Sequence, residues 1–247
     1  GYVQFLDGDC FLQPDWLKTA EAALATDPNC AAIIGHLEER RPDASIYNRL
    51  MAIEWASPAG PLENFGNLGG IMMVRLSVFE ALGGFRPEFI AGEDSEFGVR
   101  IGLAGHTVRK LDTPMATHDA NMHHFSQWWK RSVRSGHAIG QRAHLHANGP
   151  LRDCARERFS TFLWGIALPI LVLLTLWPTG GLSLLLLGGY VLLGWRIYRY
   201  RRRRGETRDD SWLYTQYTLL GKFANGWGLL MFFANQQRGR FRIIEYK

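Results

Sequence analysis

The strand-like run Tyr2-Val-Gln-Phe-Leu6 leads straight into Asp7-Gly8-Asp9, two carboxylates one residue apart. In a sheet covered by helices, the C-terminal edge of a strand is where ligands gather. Paired carboxylates at that edge suit a hard divalent cation that also takes phosphate oxygens. A second acidic cluster, Gly92-Glu-Asp-Ser-Glu96, stands much further along the chain. A metal pair plus a separate carboxylate base is the equipment for transferring a group from a nucleotide-activated donor. Each cluster also has a plainer reading. Asp7 and Asp9 fit a solvated turn, and Glu93, Asp94 and Glu96 fit a helix N-terminus, whose dipole favours acids.

The elements that must position these groups alternate over residues 1–125. Pro14 stands at a helix start, and Trp16, Leu17, Ala20, Ala23 and Leu24 follow at helical spacing. Ala31–Ile34 reads as a short strand and Ile46–Trp55 as an amphipathic helix. Gly69–Val74 reads as a strand, and Ser77–Leu82 as a short helix closed by Gly83-Gly84. Phe97–Leu103 reads as a helix closed by Gly105, and His106–Leu111 as a strand. The pattern is α/β. Residues 125–147 carry Phe125, Trp128, Trp129 and Val133 with Lys130, Arg131 and Arg134 between them, an amphipathic basic helix.

The net charge of +5 is unevenly placed, with seven arginines between Arg196 and Arg208. Such a run suits nucleic acid, but its neighbour argues against that partner. From Phe159 to Trp195 there is no charged residue. A bilayer span needs ~20 apolar residues. Two helices, Phe159–Trp177 and Gly180–Tyr198, joined at Pro178-Thr-Gly-Gly181, are expected to form a transmembrane hairpin. A buried hairpin in a soluble domain is the alternative. Both ends of the hairpin are basic, which puts both on the cytoplasmic side of the cell membrane. Trp212–Asn235 reads as an interfacial helix, because Gln216, Lys222 and Asn225 interrupt it, and the basic tail Arg238–Lys247 follows. Cys10, Cys30 and Cys154 show no paired spacing, as expected in a reducing compartment. The chain opens inside an apolar strand, which predicts that a preceding portion is missing.

In order and spacing, these motifs resemble the family-two inverting glycosyltransferases of GT-A fold. The likeness rests on Asp7-Gly-Asp9, on Gly69-Gly70 with Arg75 and Phe79–Phe85, on Gly92–Phe97 with Arg100 and Gly105, and on His118. Gln127-Trp-Trp-Lys-Arg131 stands where processive synthases carry Gln-x-x-Arg-Trp, with Lys130-Arg131 in place of Arg-Trp. The resemblance implies part of a GT-A (Rossmann-like) domain over 1–125 and basic juxtamembrane helices over 126–158. Two transmembrane helices over 159–198 and a cytoplasmic tail with its interfacial helix over 199–247 complete the expected organisation.

The same resemblance implies roles. Asp9, Asp7 and His118 would hold a divalent cation, Mn or Mg. Asp94, or alternatively Glu93, would be the catalytic base. Asp7, Arg131 and Arg134 would face the donor diphosphate, and Gly70 and Trp128 the acceptor. The implied partners are a nucleotide-sugar donor, a saccharide or lipid-linked acceptor, and membrane lipids. A processive polysaccharide synthase and a non-catalytic membrane scaffold that keeps the fold are the competing functions.

Overall fold

A computed structural model describes residues 1–239; the expected basic tail, from Arg240 onward, lies outside the described residues. The chain divides into two compact units. The first comprises Gly1–His123 with Asn148–Asp153, and the second His124–Ala147 with the chain from Cys154 on.

The first unit is built on a mixed sheet. Its strands are β1 (Tyr2–Phe5), β2 (Cys10–Leu12), β3 (Cys30–Glu39), β4 (Gly60–Pro61), β5 (Met72–Arg75) and β6 (Thr107–His118). They lie in the order β1-β5-β3-β6-β2, with β4 also on β6. Only β3 and β6 run parallel; the other pairs are antiparallel. The order has a geometric consequence. β1 and β2 stand at opposite ends of the path, yet only Leu6–Asp9 joins them. Four flat inter-strand gaps would separate them by ~19 Å, while the five Cα steps from Phe5 to Cys10 reach at most ~18 Å when straight. A turn closes there, with the Cys10 N–H on the Asp7 carbonyl at 3.1 Å. The sheet therefore curls, and the curl carries the Asp7–Asp9 turn from one end of it to the other.

Helices α1 (Trp16–Thr26), α2 (Ile46–Trp55), α3 (Leu76–Ala81) and α4 (Glu93–Leu103) cover this sheet. Trp16, Leu24, Ile33, Phe97 and Ile101 are fully buried in its core. The Trp16 indole donates to Gln4 Oε1 at 2.8 Å, tying α1 to β1. Gly35 makes that fit possible, since a Cβ there would lie 2.7 Å from the Trp16 ring.

The strands outrun their apolar cores. β3 continues through polar residues to Glu39, and β6 to His118, because the two pair with each other as far as Glu39↔His118. β5 starts at Met72 rather than Gly69, whose φ of +78° no strand residue adopts. α4 starts four residues earlier than its apolar pattern, at Glu93, with Gly92 in the left-handed region as its N-cap.

The second unit is helical. α5 (Phe125–His146) is followed by α6 (Ala155–Phe162), a π-helical turn at Leu163–Ala167 and α7 (Leu168–Thr175). These last three form one run, Ala155–Thr175, long and apolar enough to cross a membrane. The second arm of the expected hairpin is not a single α-helix. A 3-10 stretch, Leu182–Leu187, precedes α8 (Gly188–Arg203). Glycines at 180 and 181 with positive φ reverse the chain just before it. α9 (Arg208–Arg238) is a 31-residue helix. It buries Ala224, Leu229 and Phe232 within the second unit rather than lying alone. Its contacts are made at glycines. A Cβ on Gly228 would fall 2.0 Å from the Val133 carbonyl, and one on Gly136 2.1 Å from that of Asn225. Only glycine lets the two backbones approach this closely.

Candidate active site

The Asp7–Asp9 turn sits where two paired strands end. Cys10 pairs with His118 across β2 and β6. The Asp119 N–H donates to the Asp9 carbonyl at 3.0 Å, extending the ladder by one bond. Register thus brings His118 Nε2 to 3.4 Å from Asp9 Oδ1. The Cys10 thiol donates to the same Asp9 oxygen at 3.6 Å. Asp9, Cys10 and His118 form a group whose ligand atoms all lie within 4.8 Å of one another, a possible metal site.

What surrounds His118 explains its placement. Trp55 packs edge-on against its ring at 4.4 Å. Glu39 Oε2 lies 3.6 Å from Nδ1, on the side away from Asp9. Glu39 is itself buried and held by Asn48 Nδ2 at 3.2 Å, the Arg41 N–H at 3.3 Å and the Ala120 N–H at 3.2 Å. Glu39 thus stands as a buried carboxylate behind the ring, close but beyond hydrogen-bond distance of Nδ1. Just past His118, Asp119 accepts two bonds from Arg41, at 2.9 and 3.0 Å. The Arg41 guanidinium holds the Asp119 carboxyl below the usual carboxylate range.

The donor set suits a hard or borderline cation. Burial pushes the Cys10 thiol up to about 12, helped by the Asp7 and Glu39 carboxylates. A bound cation would itself favour the thiolate, so Asp9 and His118 offer one carboxylate and one imidazole with the Cys10 sulfur beside them. Carboxylate and phosphate oxygens suit Mg and Mn, whereas a thiolate draws softer ions. Asp7, expected as a further ligand, is outside this group and lies against Gly70. A Cβ on Gly70 would stand 3.0 Å from Asp7 Oδ1 and 3.2 Å from Oδ2. Gly70, expected on the acceptor side, is the residue that leaves room for the Asp7 carboxylate.

Glu93 and Asp94 occupy the first turn of α4 and are half-buried. The dipole reading of these acids and the catalytic one are compatible at this place. Glu96, one turn on, is fully buried and structural. It binds Arg100 Nε at 2.9 Å and Arg86 Nε at 3.2 Å. Arg100 in turn donates to the carbonyls of Leu82 at 2.5 Å and Gly84 at 2.6 Å, which pins α4 to the turn after α3. On its other side α4 grips the segment leading to Gly70. A Cβ on Gly98 would lie 2.2 Å from the Phe65 carbonyl, and one on Gly102 2.6 Å from the Phe65 ring. Removing a buried ion partner costs ~3–5 kcal/mol. With Arg86 40% exposed, Glu96→Ala is expected near the low end, ~3 kcal/mol, read as a lowered unfolding midpoint of the full-length protein. An unchanged midpoint would mean that α4 is held by packing alone.

Trp128, Arg131 and Arg134 lie on α5, in the second unit. Trp128 is only 3% exposed and packs edge-on against Tyr217 at 4.9 Å, so its ring offers no open face for a sugar. Gln127 closes a capping box with His124 at the start of α5. The assignment of Arg131 and Arg134 to a diphosphate rests on the resemblance alone.

Residues 49–125, which hold Gly70, Glu93, Asp94 and His118, match the family model described as the N-terminal domain of galactosyltransferase. This segment is glycosyltransferase-like. Among curated proteins, no relative matches. Among solved structures, the chain is similar to the mannosyltransferase PcManGT from Pyrobaculum calidifontis, in complex with GDP-Man and Mn2+. The identity is 20%, over 91% of this chain and 61% of that one, with a TM-score of 0.46. It is also similar to S. aureus TarS 1-349, at 14% identity over 100% of this chain and 70% of that one, with a TM-score of 0.44. Against the longer S. aureus TarS chain the identity is 13% over 66% of this chain, with a TM-score of 0.42, and the chain spans 28% of its length.

Proposed function

We propose that the chain is part of a membrane-anchored, metal-dependent, inverting glycosyltransferase of family two. It moves a sugar from a nucleotide-sugar donor to a saccharide or lipid-linked acceptor at the cytoplasmic membrane face. The observation that carries the reading is the Asp9–His118 pair, 3.4 Å apart and backed by Glu39. The glycosyltransferase-like segment around His118 and the acid pair at the start of α4 support it.

Asp9 and His118 are the residues that would hold Mn or Mg. When bound, the ion supplies Lewis-acid neutralisation of the charge that develops on the leaving diphosphate. Glu39 stands behind the His118 ring, and Gly70 keeps the Asp7 carboxylate at the mouth of the turn. Asp94 takes the proton of the acceptor hydroxyl as its oxygen bonds to the anomeric carbon. The bond from that carbon to the diphosphate oxygen breaks in the same displacement, which inverts the anomeric centre.

The membrane part is supported by the surface of the second unit. Leu173 and Leu174 are each 71% exposed, Leu185 77% and Trp177 93%. Apolar surface left in water costs ~25 cal/mol per Å², so a bilayer is the solvent that suits this face. A screen of nucleotide sugars with the full-length protein in membranes, with Mn²⁺ or Mg²⁺, tests the proposal. Release of nucleoside diphosphate from one donor, stopped by a chelator, is expected. No turnover of any donor, or turnover indifferent to the chelator, would overturn it.

A further inference from the structure

A cleft of about 660 Å³ runs between α8 and α9, within the second unit. That volume falls inside the ~300–1,000 Å³ range of small-ligand sites. The two helices are antiparallel arms joined through Arg204–Thr207, so the cleft has two chemically different ends. Arg208 and Asp209 line one end, beside the helix junction, and Val191 and Leu219 line the other. Between them, Trp195 and Trp212 form its walls. Arg199, outside the lining, stacks its guanidinium 4.6 Å from the centre of the Trp195 ring. The floor is closed by Gly194, where a Cβ would meet Leu219 Cδ1 at 3.1 Å. The walls face outward: Val191 is 72% exposed, Trp212 58% and Trp195 55%.

We propose that this cleft binds one anionic phospholipid, its phosphate at Arg208 and one acyl chain laid along Trp195 toward Val191 and Leu219. The proposal rests on the membrane placement of the second unit proposed above. Three observations carry it. The cleft has the polarity of an amphiphile, charged at one end and apolar at the other. From Arg208 to Leu219 the helix rises ~16 Å, about half the ~30 Å hydrocarbon core, which is the depth of one leaflet. The junction is also strongly basic. The seven arginines from Arg196 to Arg208 face three acids, Glu206, Asp209 and Asp210. Two of those arginines are engaged with Glu206: Arg201 Nε binds its carboxylate at 2.6 Å, and Arg202 donates to its carbonyl. The surplus positive charge favours an anionic headgroup over a zwitterionic one.

The test is native mass spectrometry of the full-length protein in detergent, titrated with phosphatidylglycerol and with phosphatidylcholine. One phosphatidylglycerol per chain is expected to survive detergent exchange, and phosphatidylcholine to bind about five-fold more weakly, from the attraction of one arginine. Val191→Trp fills the cleft from its exposed side and should remove the bound lipid. Arg208→Gln should keep the lipid but shrink the preference several-fold. Retention of the helical circular dichroism spectrum by both variants checks that they fold. Equal binding of the two lipids, binding untouched by Val191→Trp, or a dimer with no bound lipid would overturn the proposal. A protein that stays in membranes yet holds no phosphatidylglycerol defeats the cleft alone. A protein released from membranes by salt defeats the membrane placement as well.

Discussion

Asp94→Asn is expected to lower sugar-transfer turnover by ~10²–10⁴-fold, the usual contribution of a general base, with little change in donor affinity. The substitution keeps size and removes the basic oxygen. It also leaves the frame of α4 alone, because the helix is anchored one turn later by Glu96 between Arg86 and Arg100. The loss should therefore appear in turnover rather than in stability. Glu93→Gln, in the same first turn, is the control and should cost less. If Glu93→Gln abolishes transfer and Asp94→Asn does not, the two roles are exchanged. If neither variant matters, the acidic block is a helix cap and the catalytic reading fails.

Asp9→Ala is expected to abolish metal-dependent transfer, by ~10³-fold or more, since the cation supplies several kcal/mol of charge stabilisation to the leaving group. The fold should survive. The turn is held by backbone bonds, from the Cys10 N–H to the Asp7 carbonyl and from the Asp119 N–H to the Asp9 carbonyl, and alanine keeps both. His118 retains its packing on Trp55 and its Glu39 neighbour. Near-normal turnover by Asp9→Ala at saturating Mn²⁺ would show that the aspartate serves the turn and not an ion.

The Asp9–His118 pairing was half legible in the sequence. A strand running into Asp7-Gly-Asp9 announces an edge site, and the resemblance adds His118, but only strand register sets their separation. Glu39 was not legible. It sits in Glu38-Glu39-Arg40-Arg41, which reads as a solvated charge run. Its burial follows from β3 continuing beside β6, a tertiary pairing that no local pattern reveals. Alternation could not have pointed Glu39 inward, because the first six residues of β3 are all buried and register shifts interrupt its pairing with β6. Cys10, a lone cysteine after acids, has no chemical signature until strand pairing sets it beside His118.

The acidic block was legible as a helix opening, yet its three carboxylates separate only in three dimensions. Glu96 turns to two arginines, while Glu93 and Asp94 stay at the helix opening. Trp128 misled for a related reason. An aromatic on an amphipathic basic helix fits a ligand face as well as a packing face, and Tyr217, far away in sequence, takes it for packing. In the second unit the apolar run and its reversal at Pro178-Thr-Gly-Gly181 were plain, but the 3-10 start of the next arm was not. Leucine-rich sequence supports either helix type, and the glycine-backed contacts of α9 depend on its partners.

The most direct measurement is electron paramagnetic resonance of Mn²⁺ titrated into the full-length protein with and without a nucleoside diphosphate. The account predicts one Mn²⁺ site per chain that tightens when the nucleotide is present and is lost in Asp9→Ala. A Mn²⁺ signal unchanged by the nucleotide, or the same site persisting in Asp9→Ala, would contradict it.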